Sequence, residues 1–351
     1  MRNARKRVHQ ATIVITVLDE QGHVAMEGIV DTKRGPIVDF LQGLSGRVEV
    51  TFEEGTQAAW LYDIVKPRVA KVVVCDPRRN KLLKAGSKAD KVDSRKLAEL
   101  LRAGLLNPVY HGEHGTRALK ELAHSYGCLV QDCTRVMNRL KAIFRGRGIR
   151  CAGRGIYRVQ QKAHWLDQLS EPGVRRRAEY LYVQLEGLQA LRKQARQAML
   201  AESRKHQASR ILGSVASLGP VRVAQIIAKV DTPHRFRTKR QFWAYVRLAV
   251  VTKASAEYVV VQGKVRRVQQ AICTRGLNRN CNYTLKQVFK SAAASAAARG
   301  PFKAYYGDLL AKGMRPEMAR LTVARKIAAI TLRLWKNAER FDAEKLMPQA
   351  A

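Results

Sequence analysis

Ser87-Lys88-Ala89-Asp90-Lys91-Val92-Asp93-Ser94-Arg95-Lys96-Leu97-Ala98-Glu99 sets two carboxylates three residues apart in a lysine-rich run. Read as a helix, it brings Asp90 and Asp93 to one face, aligns Leu97, Leu100 and Leu101 as an apolar stripe, and stops at Gly104. Two readings of the pair stand side by side. In one, Asp90 caps the helix start and Asp93 reaches back from the third position. In the other, both are ligands. Upstream, the apolar run Val48 to Phe52 ends in Glu53-Glu54, so the chain can gather several carboxylates around a divalent cation.

Composition names the partner. The 351 residues hold 65 Lys plus Arg against 28 Asp plus Glu, a formal charge of +37, and a compact body so charged repels itself unless a polyanion screens it. Nucleic-acid phosphates supply that counter-charge. The cations are spread, at Arg135, Arg139, Lys141, Arg145, Arg147, Arg150, Arg154 and Arg158, and again at Arg235, Arg237, Lys239 and Arg240. This is a charged surface rather than a tail. A membrane partner is disfavoured, since no stretch is long enough to span a bilayer and no basic face adjoins an isolated apolar one. Six cysteines without a C-x-x-C pair fit reduced thiols and a cytoplasmic location. His111, His114, Cys128 and Cys133 match no standard zinc spacing.

Along the chain, residues 11–18 and 23–30 read as strands joined by Asp19-Glu20-Gln21-Gly22. A helix near Ile37 to Leu44, a strand from Val48 to Glu53, a helix from Ala58 to Val65, a strand from Lys71 to Cys75 and the Asp90 helix follow. Antiparallel strands leading into alternating strands and helices imply a mixed sheet with helices on its faces. From Leu119 to Phe144 the apolar residues recur at helical spacing and leave Arg135 and Arg139 on another face. A second long helix runs from about Val174 to Arg204 with near-heptad apolar spacing, which fits either pairing with another chain or an ordinary intramolecular hairpin. Ser217-Leu218-Gly219-Pro220-Val221, followed by Val223 to Ala228, reads either as a helix-hairpin-helix gripping a DNA phosphate or as a structural helix-turn-helix. Thr284 to Arg299 and Pro316 to Ala338 are helical by period, and their alanines suit close packing.

Thr51-Phe52-Glu53-Glu54-Gly55-Thr56 and the Ser87 to Glu99 run together resemble the Asp-Glu-Asp-Asp transposases of the insertion sequence one-ten family. So do Asn138-Arg139-Leu140-Lys141-Ala142, the Ser217 to Ala228 hairpin, Ser255-Ala256-Glu257-Tyr258 and Thr274-Arg275-Gly276-Leu277-Asn278-Arg279-Asn280, over about residues 8 to 338. The resemblance implies an α/β ribonuclease-H-like (RuvC-like) domain over 8–110, an α-helical coiled-coil region over 111–208 and a mainly α transposase domain over 209–340. It also implies a metal set of Glu53, Asp90 and Asp93 holding Mg2+ or Mn2+, with Glu54 a close rival of Glu53, and Ser255 as nucleophile on a DNA phosphate. Arg135, Arg139, Arg145, Gly219, Arg222 and Arg275 would bind nucleic acid. Partners would be donor and target DNA, a structured guide RNA, and further copies forming a dimer or tetramer. By the residues alone, Ser255 is an ordinary loop serine.

Two departures qualify that likeness. The family opens with a strand ending in its first catalytic Asp; here that position falls at Arg7, and Met1 to Lys6 offer no apolar strand, so the first strand and its carboxylate are expected to be missing. Nothing in the sequence makes Asp19, Asp31 or Asp76 a substitute. Before the serine loop, Arg247 replaces a Gly. The expectation is a shortened or decayed transposase of impaired activity, with a silent nucleic-acid-binding relic or a junction nuclease without serine chemistry as alternatives.

Overall fold

The computed structural model describes residues 2–8, 11–77, 90–112, 115–254, 258–267, 273–277 and 281–346. The chain divides into two compact units, residues 1–112 and 113–351.

The first unit is built on β2 (Thr12–Leu18), whose alternating side chains serve two layers. Ile13, Ile15 and Val17 share a core with Val48, Val50 and Phe52 of β4 (Val48–Glu53), Val74 of β5 (Lys71–Cys75), and residues of α1 (Arg34–Gln42) and α2 (Ala58–Val65). Thr16, on the opposite face, meets α3 (Asp90–Arg102). The sheet is therefore covered on both sides, as a period-two pattern requires when both sets are buried. α3 ends where expected, with Gly104 at a φ of +68°, where only glycine is unstrained.

β1 (Arg2–Val8) is a strand, contrary to the expectation that this segment supplies none. With β3 (Val24–Asp31) it completes a five-stranded sheet of order β3-β2-β1-β4-β5. β1 runs antiparallel to β2, pairing Ala4 with Val17 and Val8 with Ile13, and parallel to β4, pairing Arg2 with Val48 and Lys6 with Phe52. The physical reason lies in the neighbours. β2 and β4 each present a row of backbone N–H and C=O groups toward the gap between them, and buried groups of that kind must be paired. Any extended backbone meets that need, so a basic sequence forms the central strand without an apolar pattern of its own.

In the second unit, α4 (Arg117–Arg145) and α6 (Pro172–Arg204) form a long antiparallel hairpin. At one end Leu140 and Phe144 pack with Ala178 and Tyr182; at the other, Leu119 and Ala123 join Met199 in a common core. The near-heptad pattern of α6 is thus satisfied within the chain. That core continues through α7 (Gln207–Gly213), α8 (Pro220–Val230), α9 (Lys239–Tyr245), α10 (Tyr283–Ala298), α11 (Phe302–Ala311) and α12 (Pro316–Asn337). Ala292, Ala293 and Ala296 of α10 are buried with Ala324 and Ala328 of α12, and their small side chains let the two backbones approach. Between α9 and α10 lie two two-stranded sheets: β6 (Val250–Ala254) with β9 (Cys273–Leu277), and β7 (Tyr258–Val261) with β8 (Lys264–Arg267).

A proline at position 4 removes a ladder donor from the middle of a central strand. Ala4→Pro is expected to lower the urea midpoint of the 1–112 unit clearly, while Gly35→Ala in the exposed start of α1 leaves it nearly unchanged. An Ala4→Pro midpoint equal to that of the parent chain rules out β1 as a structural strand.

Candidate active site and nucleic-acid surface

Glu53 is the last residue of β4. Val48, Val50 and Phe52 face the α1 and α2 core, so alternation sends Glu49, Thr51 and Glu53 to the side that α3 covers. Glu49 pairs there with Lys71 at 3.6 Å and Arg47 at 4.0 Å. On α3, Asp93 and Ser94 are buried, and the helix packs against β1, β2 and β4. The Ser94 and Thr16 hydroxyls meet at 2.5 Å, and Ser94 donates to the Lys91 carbonyl at 2.9 Å. This contact fixes the rotation of α3 and turns Asp93 toward the sheet. Glu53 and Asp93 thus come to one side of one sheet. Asp90 begins the helix, but its side chain lies outside the described residues.

Register supplies a further fact. The β1–β4 ladder ends with Lys6 paired to Phe52, the residue before Glu53, and the next residue of β1, position 7, pairs with Val14 of β2. Position 7 is an arginine, where the family likeness expects a carboxylate. Among the described residues, no three His, Cys, Asp or Glu side chains converge to hold a metal ion. Glu53 and Asp93 carry hard oxygen donors of the kind magnesium prefers.

Glu53 and Glu54, rivals in the sequence, have different surroundings. The Glu54 carboxylate bonds His111 Nε2 at 2.7 Å, and that imidazole stacks on Tyr62 of α2 with ring centres 5.0 Å apart. Glu54 is therefore held in its own dyad, and Glu53 takes the α3 side. Nothing in the spacing of residues 54, 62 and 111 announced this dyad, because it forms only when the irregular segment following residue 105 returns beside β5, pairing Cys75 with Pro108.

The expected nucleic-acid residues fall into different settings. Arg135, Arg139 and Arg145 are exposed along α4, with Arg135 paired to Asp132 at 3.0 Å. Gly219 is exposed and caps α8, whose start opens on a groove of about 640 Å3 lined by Tyr126, Gly127, Gln131, Gln225 and Gln287. Arg222 is turned inward. Its guanidinium donates to the Ser217 carbonyl at 3.0 Å, to Ser291 Oγ at 3.1 Å and its carbonyl at 3.2 Å, and to Ser295 Oγ at 3.3 Å. Burial pulls its pKa below the ordinary arginine value. It ties α8 to α10. Arg275 pairs through its backbone with Thr252, its side chain lying outside the described residues. Ser255 also lies outside them, between the end of β6 and the start of β7. Arg247, the residue standing for a glycine, has a φ of +58°, the left-handed region that glycine favours. Its guanidinium lies 4.4 Å from the centre of the Tyr283 ring, a contact that offsets part of that strain.

Residues 8–147 match a transposase family model, DEDD Tnp IS110, and residues 209–307 match the model described as Transposase IS116/IS110/IS902 family. The chain belongs to the IS110 family of transposases. Together the two matches cover about two thirds of it, and the first begins at Val8, so Arg7 lies outside. Comparison with curated proteins gives no match. Membership places this IS110-family chain among insertion-sequence transposases, recombinases that bind DNA. No helix among the described residues is long and apolar enough to cross a membrane.

Ser94→Ala is expected to leave the buried Thr16 hydroxyl without its partner, at a cost of about 1–3 kcal/mol. Adding Thr16→Val is expected to recover most of that loss in urea unfolding. Additive losses in the double variant exclude the hydroxyl contact as the anchor of α3.

Proposed function

We propose that this chain is a DNA transposase whose first unit is a ribonuclease-H-like (RuvC-like) domain and whose Ser255 is the nucleophile. What supports the reading is that Glu53, at the end of β4, falls on the side of the β3-β2-β1-β4-β5 sheet that α3, with its buried Asp93, covers. Asp90, three residues before Asp93 on α3, completes a three-carboxylate set. These residues would hold a magnesium or manganese ion, which when bound supplies a Lewis acid that withdraws charge from a phosphoryl group.

The chain's own groups do the rest. The Ser255 hydroxyl attacks a DNA phosphorus, a new P–O bond forms to Oγ, and the bond to the leaving strand's oxygen breaks. The serine proton departs to a base, since an unassisted hydroxyl is a weak nucleophile. The departing oxygen is protonated in turn. Arginine and lysine side chains offset the charge gathering on the phosphoryl oxygens. A structured guide RNA would choose the DNA sites, and further copies of the chain would complete the assembly, with exposed Arg135, Arg139 and Arg145 on the nucleic-acid side.

One observation favours a second reading, a nucleic-acid-binding relic with impaired chemistry. Arg7 follows the Lys6–Phe52 pair in β1, at the position where the family likeness expects one of its four carboxylates, and a cation there would repel the ion. Loss of a ligand weakens a metal site by at least the roughly 10- to 100-fold seen for lesser, outer contacts.

Arg7→Asp is therefore expected to tighten Mn2+ binding by at least about tenfold in calorimetry and to raise metal-dependent DNA cleavage. Asp93→Asn should abolish both, and Ser255→Ala should abolish strand exchange. Cleavage that survives Asp93→Asn sinks the carboxylate assignment; exchange that survives Ser255→Ala leaves a junction nuclease without serine chemistry.

A further inference from the structure

β7 and β8 form a hairpin that pairs only with itself among the described strands. Its turn residues, Gln262 and Gly263, both have positive φ, at 52° and 73°, the two-residue geometry that matches the twist of antiparallel strands. The register pairs Val260 with Val265 and Val259 with Arg266. Tyr258, Val260 and Val265 therefore share one face, and they are 63%, 71% and 69% exposed. Val259, Val261, Lys264 and Arg266 share the other, also exposed. A two-stranded ribbon is marginal in water without cover, and an open apolar face of this kind marks a contact surface.

Charge decides the occupant. Residues 258–267 include Lys264, Arg266 and Arg267 and no acid. A chain of net charge +37 is repelled by a second copy of itself, whereas a polyanion is attracted. Size decides which polyanion. Two four-residue strands lie about 4.8 Å apart, a ribbon narrow enough for the major groove of B-form DNA, ~12 Å wide, which admits such a ribbon. The deep, narrow major groove of A-form RNA does not.

We infer that the Tyr258–Arg267 ribbon enters the major groove of duplex DNA, with Tyr258, Val260 and Val265 against base edges and thymine methyls, and with Lys264 and Arg266 on flanking phosphates. The inference rests on the reading of this chain as a DNA recombinase, and is independent of its chemistry. It places a groove reader three residues after Ser255 in sequence.

The test uses the full chain, random-sequence duplex DNA and double-stranded RNA, with binding followed by fluorescence anisotropy between about 50 and 200 mM salt. Lys264→Ala with Arg266→Ala should weaken DNA binding roughly tenfold or more and lower the slope of log affinity against log salt by about 2. Val260→Ser with Val265→Ser should weaken DNA binding several-fold, leave that slope in place, and leave RNA binding unchanged. Equal losses on DNA and RNA, or unchanged DNA binding, overturn the inference. So does a fall in oligomer size by light scattering with DNA affinity intact, which would assign the ribbon to a second copy. Failure of the unsubstituted chain to bind duplex DNA overturns the recombinase reading itself, whereas loss of cleavage alone leaves the ribbon result standing.

Discussion

The two ladders of β1, antiparallel to β2 and parallel to β4, govern the first unit. They close the gap between β2 and β4 and satisfy the facing backbone edges of both strands. No side chain of β1 needs to be apolar for this, because the ladder is made by the main chain. The consequence is an uneven division of labour, in which the central strand is chosen by its neighbours while α3 is fixed by a specific contact, Ser94 against Thr16. Strand and helix together then bring Glu53 and Asp93 to the same side.

Where the sequence pattern and the packing agree, elements were legible to the residue. β4, β5 and α2 fall within the bounds expected from Val48-Glu49-Val50-Thr51-Phe52-Glu53, Lys71 to Cys75 and Ala58 to Val65, since each has enough buried apolar residues to declare its period. α1 begins at Arg34, before the expected Ile37, because Pro36 in a first turn needs no N–H partner and does not delay the helix. β1 was illegible for the opposite reason: Arg2-Asn3-Ala4-Arg5-Lys6-Arg7 has no hydrophobic alternation, and its pairing energy lies wholly in other strands' edges.

The candidate site was legible in its carboxylates and obscure in its supports. Glu53 and Asp93 stand out by type and spacing, but the partner of Glu54, His111, lies 57 positions away and leaves no trace in the local pattern. Arg222 shows the converse. A cation in a turn that resembles a phosphate grip is read as a DNA contact, yet its donors are taken up by Ser217, Ser291 and Ser295 across two helices. Ser291 and Ser295 lie about seventy residues on, beyond any local pattern.

Arg247 and Arg7 look alike in sequence, each a cation at a position where the family likeness expects another residue, but they differ in kind. At Arg247 the cost is backbone strain of order 1–2 kcal/mol, and the ring of Tyr283 offsets part of it, so the fold absorbs the change. At position 7 the backbone carries no such penalty, because an extended strand accepts any residue except proline in its interior. The change falls instead on electrostatics. On the proposed reading, the carboxylates near the end of β4 would repel one another, and a cation at position 7 would offset that repulsion in the way a bound metal does, lowering the affinity for the ion. Fold and chemistry would then be uncoupled at a single position, because the backbone ladder that completes the sheet is indifferent to the side chain it carries.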